Sequence, residues 1–406
     1  MELKSLNLDK SRWALTTLGE LASEVSTRVE NHSESEHERF IGLKHFVSGD
    51  LKIKKWGSTS NLTSATKAFE AGDILLARRN AYLRRASLVE FDGVCSGDAF
   101  VLREKHEKII PGFLAFIVNS SGLWDYANEN AAGTMSKRVK WRDLANYEFL
   151  LPPKEHQAEL AELLWAMDEA IEKGLLLGNK IDLYKQSYFE DFLRGVSVTK
   201  EKGSFAVKCK IEDIAKPEKY SCVGGPFGSN LTGKDYVDEP GVPVIRGANL
   251  TINEGKFIES AFVYVSPEKA SRLKSNKAFR GDIIVTQRGT LGQVGLIPSD
   301  SKFEEYIVSQ SQMKLTLDKA KALPEYIYLY LLSNRAQRDL EVATICTGIP
   351  HINLGIFKNF SILLPNIDKQ KSIISQIEEI ETALKSYNTQ MYNSKSLQKS
   401  LINQVF

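Results

Sequence analysis

The chain lacks most of the features that would place it outside ordinary globular proteins. Its four cysteines, Cys95, Cys209, Cys222 and Cys346, are scattered with no Cys-x-x-Cys pair, which excludes a disulfide scaffold and a zinc ribbon. No apolar run approaches the roughly 20 residues that cross a bilayer, so no membrane partner is expected. The opening stretch from Met1 to Trp13 has no apolar segment of the secretory type, and a reducing cytoplasm is the expected compartment. Charge of one sign is not in excess either. Lys and Arg number 53 against 51 Asp and Glu, a net of +2, so global charge decides nothing about nucleic acid. The balance is uneven, however: residues 154–193 hold 4 basic and 9 acidic side chains, a poor composition for lying along phosphates.

Signatures of catalysis are also missing. Gly-Ser-Asn-Leu-Thr-Gly-Lys-Asp at 228–235 nearly spells a phosphate-binding loop, but Asp235 stands where Ser or Thr must hold magnesium. The only Pro-Pro, at 152–153, opens a helix and does not frame a methyltransferase site, and no glycine-rich cofactor turn stands out. Asp50-x-Lys52 and Glu254-x-Lys256 are triplets that occur freely by chance. His32 and His37 lie in a polar run of surface-loop character, which gives no metal site.

What the chain does have is length and self-similarity. Its 406 residues suggest two or three domains, and a composition 42% hydrophobic and 26% charged excludes a largely disordered chain. Residues 146–157 and 359–370 match at five positions 213 apart: Asn146, Leu150, Leu151, Pro152 and Gln157. Chance gives about one. The same offset pairs Pro111 with Pro324, Ser120 with Ser333 and Thr134 with Thr347. Upstream, Gly-Asp-Ile-Leu-Leu-Ala-Arg-Arg at 72–79 matches Gly-Asp-Ile-Ile-Val-Thr-Gln-Arg at 281–288. Further upstream, residues 18–22 match residues 211–215, so the second copy carries extra residues between Ala215 and Gly281. Length variation between common elements belongs in loops, where recognition tends to sit.

Each copy ends in a long amphipathic segment. Leu160, Leu164, Met167, Ile171, Gly174 and Gly178 in the first, and Ile373, Ile377, Ile380, Leu384, Tyr387 and Met391 in the second, recur at the 3.5-residue spacing of a helix–helix seam. Asn366 is the expected N-cap of the second helix. Gly174 and Gly178 align with the large Tyr387 and Met391. Either the glycines make room for bulky neighbours or the helix breaks there. Within each globular copy, residues 72–77 and 281–286 predict a turn and a buried strand, and Pro111 and Pro324 predict the starts of short helices.

The ordered set formed by Gly-Pro-Phe-Gly-Ser-Asn at 225–230, Gly-Asp-Ile-Ile-Val at 281–285, Gln-Arg-Gly-Thr at 287–290 and Leu364-Pro365 with Gln370 resembles the specificity subunits of type I restriction-modification enzymes. The resemblance covers essentially the whole chain. It implies two mixed α/β target-recognition domains, at 1–153 and 194–365, each reading one half of a split DNA site. It also implies two antiparallel coiled-coil-like spacer helices, at 154–193 and 366–406, in a tandem repeat of approximate two-fold symmetry. The implied partners are double-stranded DNA and two modification (methyltransferase) subunits, with restriction subunits as a further option. S-adenosylmethionine, and ATP with magnesium, would sit on those partners and no cofactor on this chain, which is expected to be non-catalytic. The first copy departs from the pattern: it has Arg-Asn-Ala-Tyr at 79–82 and no Gly-Pro-Phe-Gly-Ser segment.

Reading base edges takes forked or amide side chains, whereas phosphate contacts take only charge or hydroxyl. By that chemistry the second copy offers Gln287, Arg288, Thr290 and Gln293 after its buried strand. Ser229, Asn230, Lys234, Arg246 and Asn249 follow on neighbouring loops, and Thr347, His351 and Asn353 near its end. The first copy offers Arg78, Arg79, Arg84 and Arg85, with Lys137, Arg138 and Lys140 on the late loop. Any one of these is equally an ordinary surface residue. Two other readings remain open: a self-contained endonuclease with two like halves, using Asp50 or Glu254, and a purely structural coiled-coil scaffold.

Overall fold

A computed structural model describes residues 9–30, 37–60, 62, 64–195, 206–238, 241–250, 257–346 and 348–406. The two Gly-Asp-Ile segments fold as turns into buried strands. Ile74–Ala77 and Ile283–Thr286 are buried at every residue. The glycines ahead of them, Gly72 and Gly281, have φ of 94° and 84°, the left-handed region that glycine enters without strain. The next residue closes each turn: Asp73 accepts from the Glu70 amide at 2.8 Å and Asp282 from the Phe279 amide at 2.9 Å.

Around these strands the chain forms two compact units, residues 1–178 with 386–406, and residues 179–385. In the first unit Ala14–Thr17 pairs with Glu148–Leu151. A four-stranded antiparallel sheet runs in the order Ala22–Val25, Ala99–Glu104, Ile74–Ala77, Ala86–Leu88. A five-stranded sheet runs Arg28–Val29, Thr66–Phe69, Gly93–Ser96, Arg39–Ile41, Gly57–Ser58, with a parallel pair at Phe40 and Val94.

In the second unit Ala206–Lys210 pairs with Ser361–Pro365. Its four-stranded sheet runs Cys222–Gly224, Gln312–Leu315, Ile283–Thr286, Val294–Leu296. Its five-stranded sheet runs Tyr236–Val237, Val263–Val265, Val242–Ile245, Glu305–Val308, Lys277–Phe279, with a parallel pair at Val244 and Ile307. Each five-stranded sheet is thus built on one parallel pair; two-residue strands lie at both edges in the first unit and at the edge next to Val263–Val265 in the second.

Pro324 opens the helix Pro324–Leu332 as expected. Pro111 does not open one. Gly112 follows it at φ 80°, which forces a turn, and the helix begins only at Leu114. Ser120 and Ser333 cap the helices that follow, accepting from the amides of Leu123 and Ala336.

Lys154–Gly195 is one uninterrupted 42-residue helix that passes through both Gly174 and Gly178, and Ile367–Val405 is a 39-residue helix. Asn366 caps the latter, its Oδ1 accepting from the Lys369 amide at 2.9 Å. Within the first unit the two helices run antiparallel. A methyl group on Gly174 would overlap Met391, and one on Gly178 would meet Asn388 and Tyr387, so the glycines make room for bulky neighbours. Leu164 and Ile171 are buried, Leu160 and Met167 half-buried. Gln398 donates to the Leu164 carbonyl at 3.2 Å, and Leu401, Ile402 and Val405 enter the first unit's core. Within the second unit, Tyr188 hydrogen-bonds Gln376, Lys185 lies 3.7 Å from Glu381, and Phe189, Leu193, Ile373 and Ile377 enter the core. Ile380, Leu384, Tyr387 and Met391 are half-buried. Among the described residues no helix is long and apolar enough to cross a membrane.

One glutamine fastens each helix start to its sheet body. Gln157 accepts from the Ile110 amide at 3.0 Å and donates to the carbonyls of Lys108 at 3.0 Å and Pro152 at 2.9 Å. Gln370 accepts from Leu323 at 2.8 Å and donates to Lys321 at 3.0 Å and Pro365 at 2.8 Å. Both side chains are fully buried and fully bonded, as buried amides must be.

Candidate nucleic-acid interface

In each unit the end of the buried strand is bonded to the late loop. The Val139 amide donates to the Arg78 carbonyl and the Asn80 amide to the Lys137 carbonyl, while Arg79 and Arg138 form an antiparallel bridge. In the second unit the Ile352 amide donates to the Gln287 carbonyl and Arg288 bridges His351. The late loops close on themselves by matching bridges, Ala132 to Arg138 and Ile345 to His351. Candidates far apart in sequence therefore share one surface in each unit.

On the first surface the arginines divide into two kinds. Arg78 and Arg85 are anchors. The Arg78 guanidinium lies over the Phe100 ring at 5.5 Å, and its Nε is buried without a hydrogen-bond partner. Arg85 donates to the carbonyls of Leu43 and Arg79, and burial pushes its pKa down. Their backbones shape the loop, with the Arg78 head stacked on a ring and the Arg85 head bonded to two carbonyls. Arg84 is tied to Asp125 at 2.8 Å and to Ser121. Arg79, Arg138, Lys137 and Lys140 stand closest to solvent. Arg79 donates to Ser136 at 2.9 Å, and both Arg79 and Arg138 face Asp98. The Arg138 hydrogen bond holds the Asp98 carboxyl below its ordinary range. Asp98 carries no signal in the sequence that separates it from other acidic residues.

The second surface centres on the glycine loop. Gly225 is obligatory there, because a Cβ would lie 1.9 Å from the Ser309 carbonyl oxygen. Gln310 pins the loop by donating to the carbonyls of Gly228 and Leu231, and Gln287 donates to the Gln310 carbonyl at 2.6 Å. This leaves Phe227, 90% exposed, beside Ser229 and Asn230, both exposed. Sequence reasoning took the motif but passed over its phenylalanine. Arg288, Thr290 and Lys234 are exposed and Gln287 is half-buried.

Other candidates in the second unit are hydrogen-bonded within the fold, Asn249 most completely. Asn249 is fully buried; its Oδ1 accepts from the Arg246 amide and its Nδ2 donates to the carbonyls of Ile258 and Ser260. It fastens a loop and cannot reach a base edge. Gln293 bonds the Thr286 hydroxyl and the Leu250 carbonyl, and Arg246 donates to the Ala261 carbonyl. Asn353 caps the helix Leu354–Lys358, accepting from the Ile356 amide. His351 Nδ1 lies 3.1 Å from the Ile349 carbonyl. Thr347 and Glu254 lie outside the described residues. Asp50 bonds Lys395 at 2.5 Å and lies 3.6 Å from Lys54, fastening its loop to the C-terminal helix. Among the described residues no three His, Cys, Asp or Glu side chains gather as for a metal ion.

Residues 228–392 match the sequence family described as type I restriction modification DNA specificity domain. Over 323 residues the chain is 23% identical to the specificity subunit of the type I restriction enzyme EcoBI of Escherichia coli, covering 73% of this chain and 63% of that protein. It is 21% identical over 290 residues to the MjaVIII specificity subunit of Methanocaldococcus jannaschii, covering 68% and 65%. The chain thus spans slightly less than two thirds of these curated relatives. Among solved structures, a chain from work on complex assembly and conformational transition of the type I R-M system matches with a TM-score of 0.64 at 17% identity, covering 97% of each chain. The HsdS subunit of Thermoanaerobacter tengcongensis matches with a TM-score of 0.51 at 17% identity, covering 98% of this chain and 97% of that one. At such identities the structural likeness concerns the fold, a mixed α/β arrangement with long helices.

Proposed function

We propose that this chain, which carries a type I restriction modification DNA specificity domain at residues 228–392 and resembles the specificity subunits of such enzymes, selects the duplex sequence on which a type I assembly acts and makes or breaks no bonds itself. Two duplicated reading surfaces, one per unit, take the two halves of a split target. The paired helices serve as spacer and as the docking site for two modification subunits, whose S-adenosylmethionine supplies the methyl group. ATP with magnesium would belong to a restriction subunit.

The reading rests on one observation above all: the same strand-end-to-late-loop junction is built in both units, with different side chains on it. Lys137 and Arg138 stand in the first where Pro350 and His351 stand in the second, while Arg79 and Arg288 are common to both. Like frames with unlike readers suit an asymmetric site, as two-fold frames with identical readers suit a palindrome. The docking role is supported by Leu175, Leu176, Leu183 and Tyr184, apolar side chains exposed on the acidic central helix.

Mapping modified bases in cells with and without the gene tests the reading. Loss of one bipartite motif is expected, and Arg79→Ala and Arg288→Ala should each relax a different half of it. An unchanged methylation pattern on deletion would refute it. No observation favours the endonuclease or scaffold readings, since Asp50 is committed to ion pairs with two lysines.

A further inference from the structure

The geometry points to Asp98 as a specificity-determining residue of the first unit: it fixes Arg138 so that the free edge of the guanidinium reads a guanine. This rests on the reading of the chain as a DNA-recognition subunit. Arg138 approaches Asp98 along one edge, Nε to Oδ1 at 2.9 Å and Nη2 to Oδ2 at 3.4 Å. That contact closes one fork and leaves the other, between Nη1 and Nη2, with no partner among the described residues. The Arg138 side chain is 43% exposed, and its open fork carries the paired N–H groups that match guanine O6 and N7 in the major groove.

Asp98 is itself held in place. Its amide donates to Ser96 Oγ at 3.2 Å, and its carbonyl accepts from the Arg78 amide at 3.0 Å. The same carboxylate lies 3.7 Å from Arg79 Nη1, while Arg79 Nη2 donates to Ser136. One acidic group thereby aligns two cations from separate segments of chain.

Phosphate binding gives no reason for this arrangement. Phosphate contacts take charge or hydroxyl without needing a fixed orientation, and a carboxylate between two arginines cancels part of that charge. A directional contact gains from it, because a guanidinium held in one orientation loses less freedom on binding. The second unit shows the contrast. There the Gln287 amide donates to the Ser311 carbonyl at 2.8 Å, the same bond that Arg78 makes to Asp98, so the equivalent residue is a serine. It has no carboxylate to orient Arg288, and no ion pair of Arg288 is found among the described residues. Discrimination by a buttressed arginine therefore belongs to the first half-site.

The test uses the full chain in its own cells, with the methylated motif as readout, and the purified chain on duplexes bearing that motif. Asp98→Asn is expected to relax one guanine position of one half-site at least tenfold while the other half-site holds. Removing one negative charge should also tighten binding to non-cognate duplex a few-fold and steepen its salt dependence. Arg138→Lys keeps the charge, loses the fork and should relax the same position; Asp98→Glu should restore it in part. The inference is overturned if Arg138→Lys keeps full discrimination, or if Asp98→Asn changes affinity for all sequences by the same factor. Deletion of the gene with no change in the methylation pattern would instead remove the recognition reading on which the inference stands.

Discussion

Replacing Gln157 by alanine should unfasten the first unit selectively. The side chain is fully buried and makes three hydrogen bonds at 2.9–3.0 Å. Alanine leaves the Ile110 amide stranded, which costs about 1–3 kcal/mol, and removes bonds from two carbonyls at about 1 kcal/mol each. The expected loss is about 3–5 kcal/mol, or roughly 6–20 °C in the melting temperature of a unit of this size. The sequence supplies a convenient reporter, because all five tryptophans (Trp13, Trp56, Trp124, Trp141 and Trp165) belong to the first unit. Tryptophan fluorescence should therefore follow Gln157→Ala directly, while Gln370→Ala, the same lesion in the second unit, should move far-UV circular dichroism first. A fluorescence shift under about 2 °C for Gln157→Ala would refute the view that this amide is a structural fastener.

Gly225→Ala must displace backbone, since the new methyl would sit 1.9 Å from the Ser309 carbonyl oxygen; it should abolish motif discrimination at the second half-site, whereas Gly233→Ala, with nothing within 4 Å, should leave it unchanged in the same methylation mapping. Asp168 is pushed above its ordinary pKa of 3.8 by burial and by Glu172, with Lys54 and Gln398 opposing. A carboxyl raised on folding binds its proton more tightly in the native state, so its penalty is present at neutral pH and fades as pH falls through the raised value towards 3.8. Asp168→Asn should accordingly raise the fluorescence-monitored melting temperature at pH 7 and leave it unchanged near pH 4; equal shifts at both pH values would contradict this.

The sequence disclosed what local pattern controls. The buried strands after Gly72 and Gly281, the Asn366 cap and the pairing of small with bulky residues around Gly174 and Gly178 all follow from neighbours in the chain or from a fixed period. Pro111 misled because its effect depended on Gly112 adopting a positive φ, which composition does not announce. Side-chain fate was hidden wherever the partner is remote. Asn249 looks the same in sequence whether it faces a base or bonds Ile258 and Ser260, and only the returning loop decides it. Gln157 and Gln370 were visible as matching letters, but the backbone atoms they bind lie some way upstream and become their partners only once the sheets are built. Asp98 had no mark at all, because its meaning comes from Arg138, forty positions on.

The closing strip of the first unit, residues 386–406, is encoded after the whole of the second. Leu401, Ile402 and Val405 complete a core begun by Trp13 and Leu18; Lys10 donates to the carbonyls of Gln404 and Val405, and Asn403 accepts from the Ser121 amide. On the ribosome, then, the half made first is the half finished last, and it waits with an open seam while its sibling is translated. A stop codon just past residue 385 would spare the younger half and leave the older one unsealed, a proteolysis target with its arginines still in place.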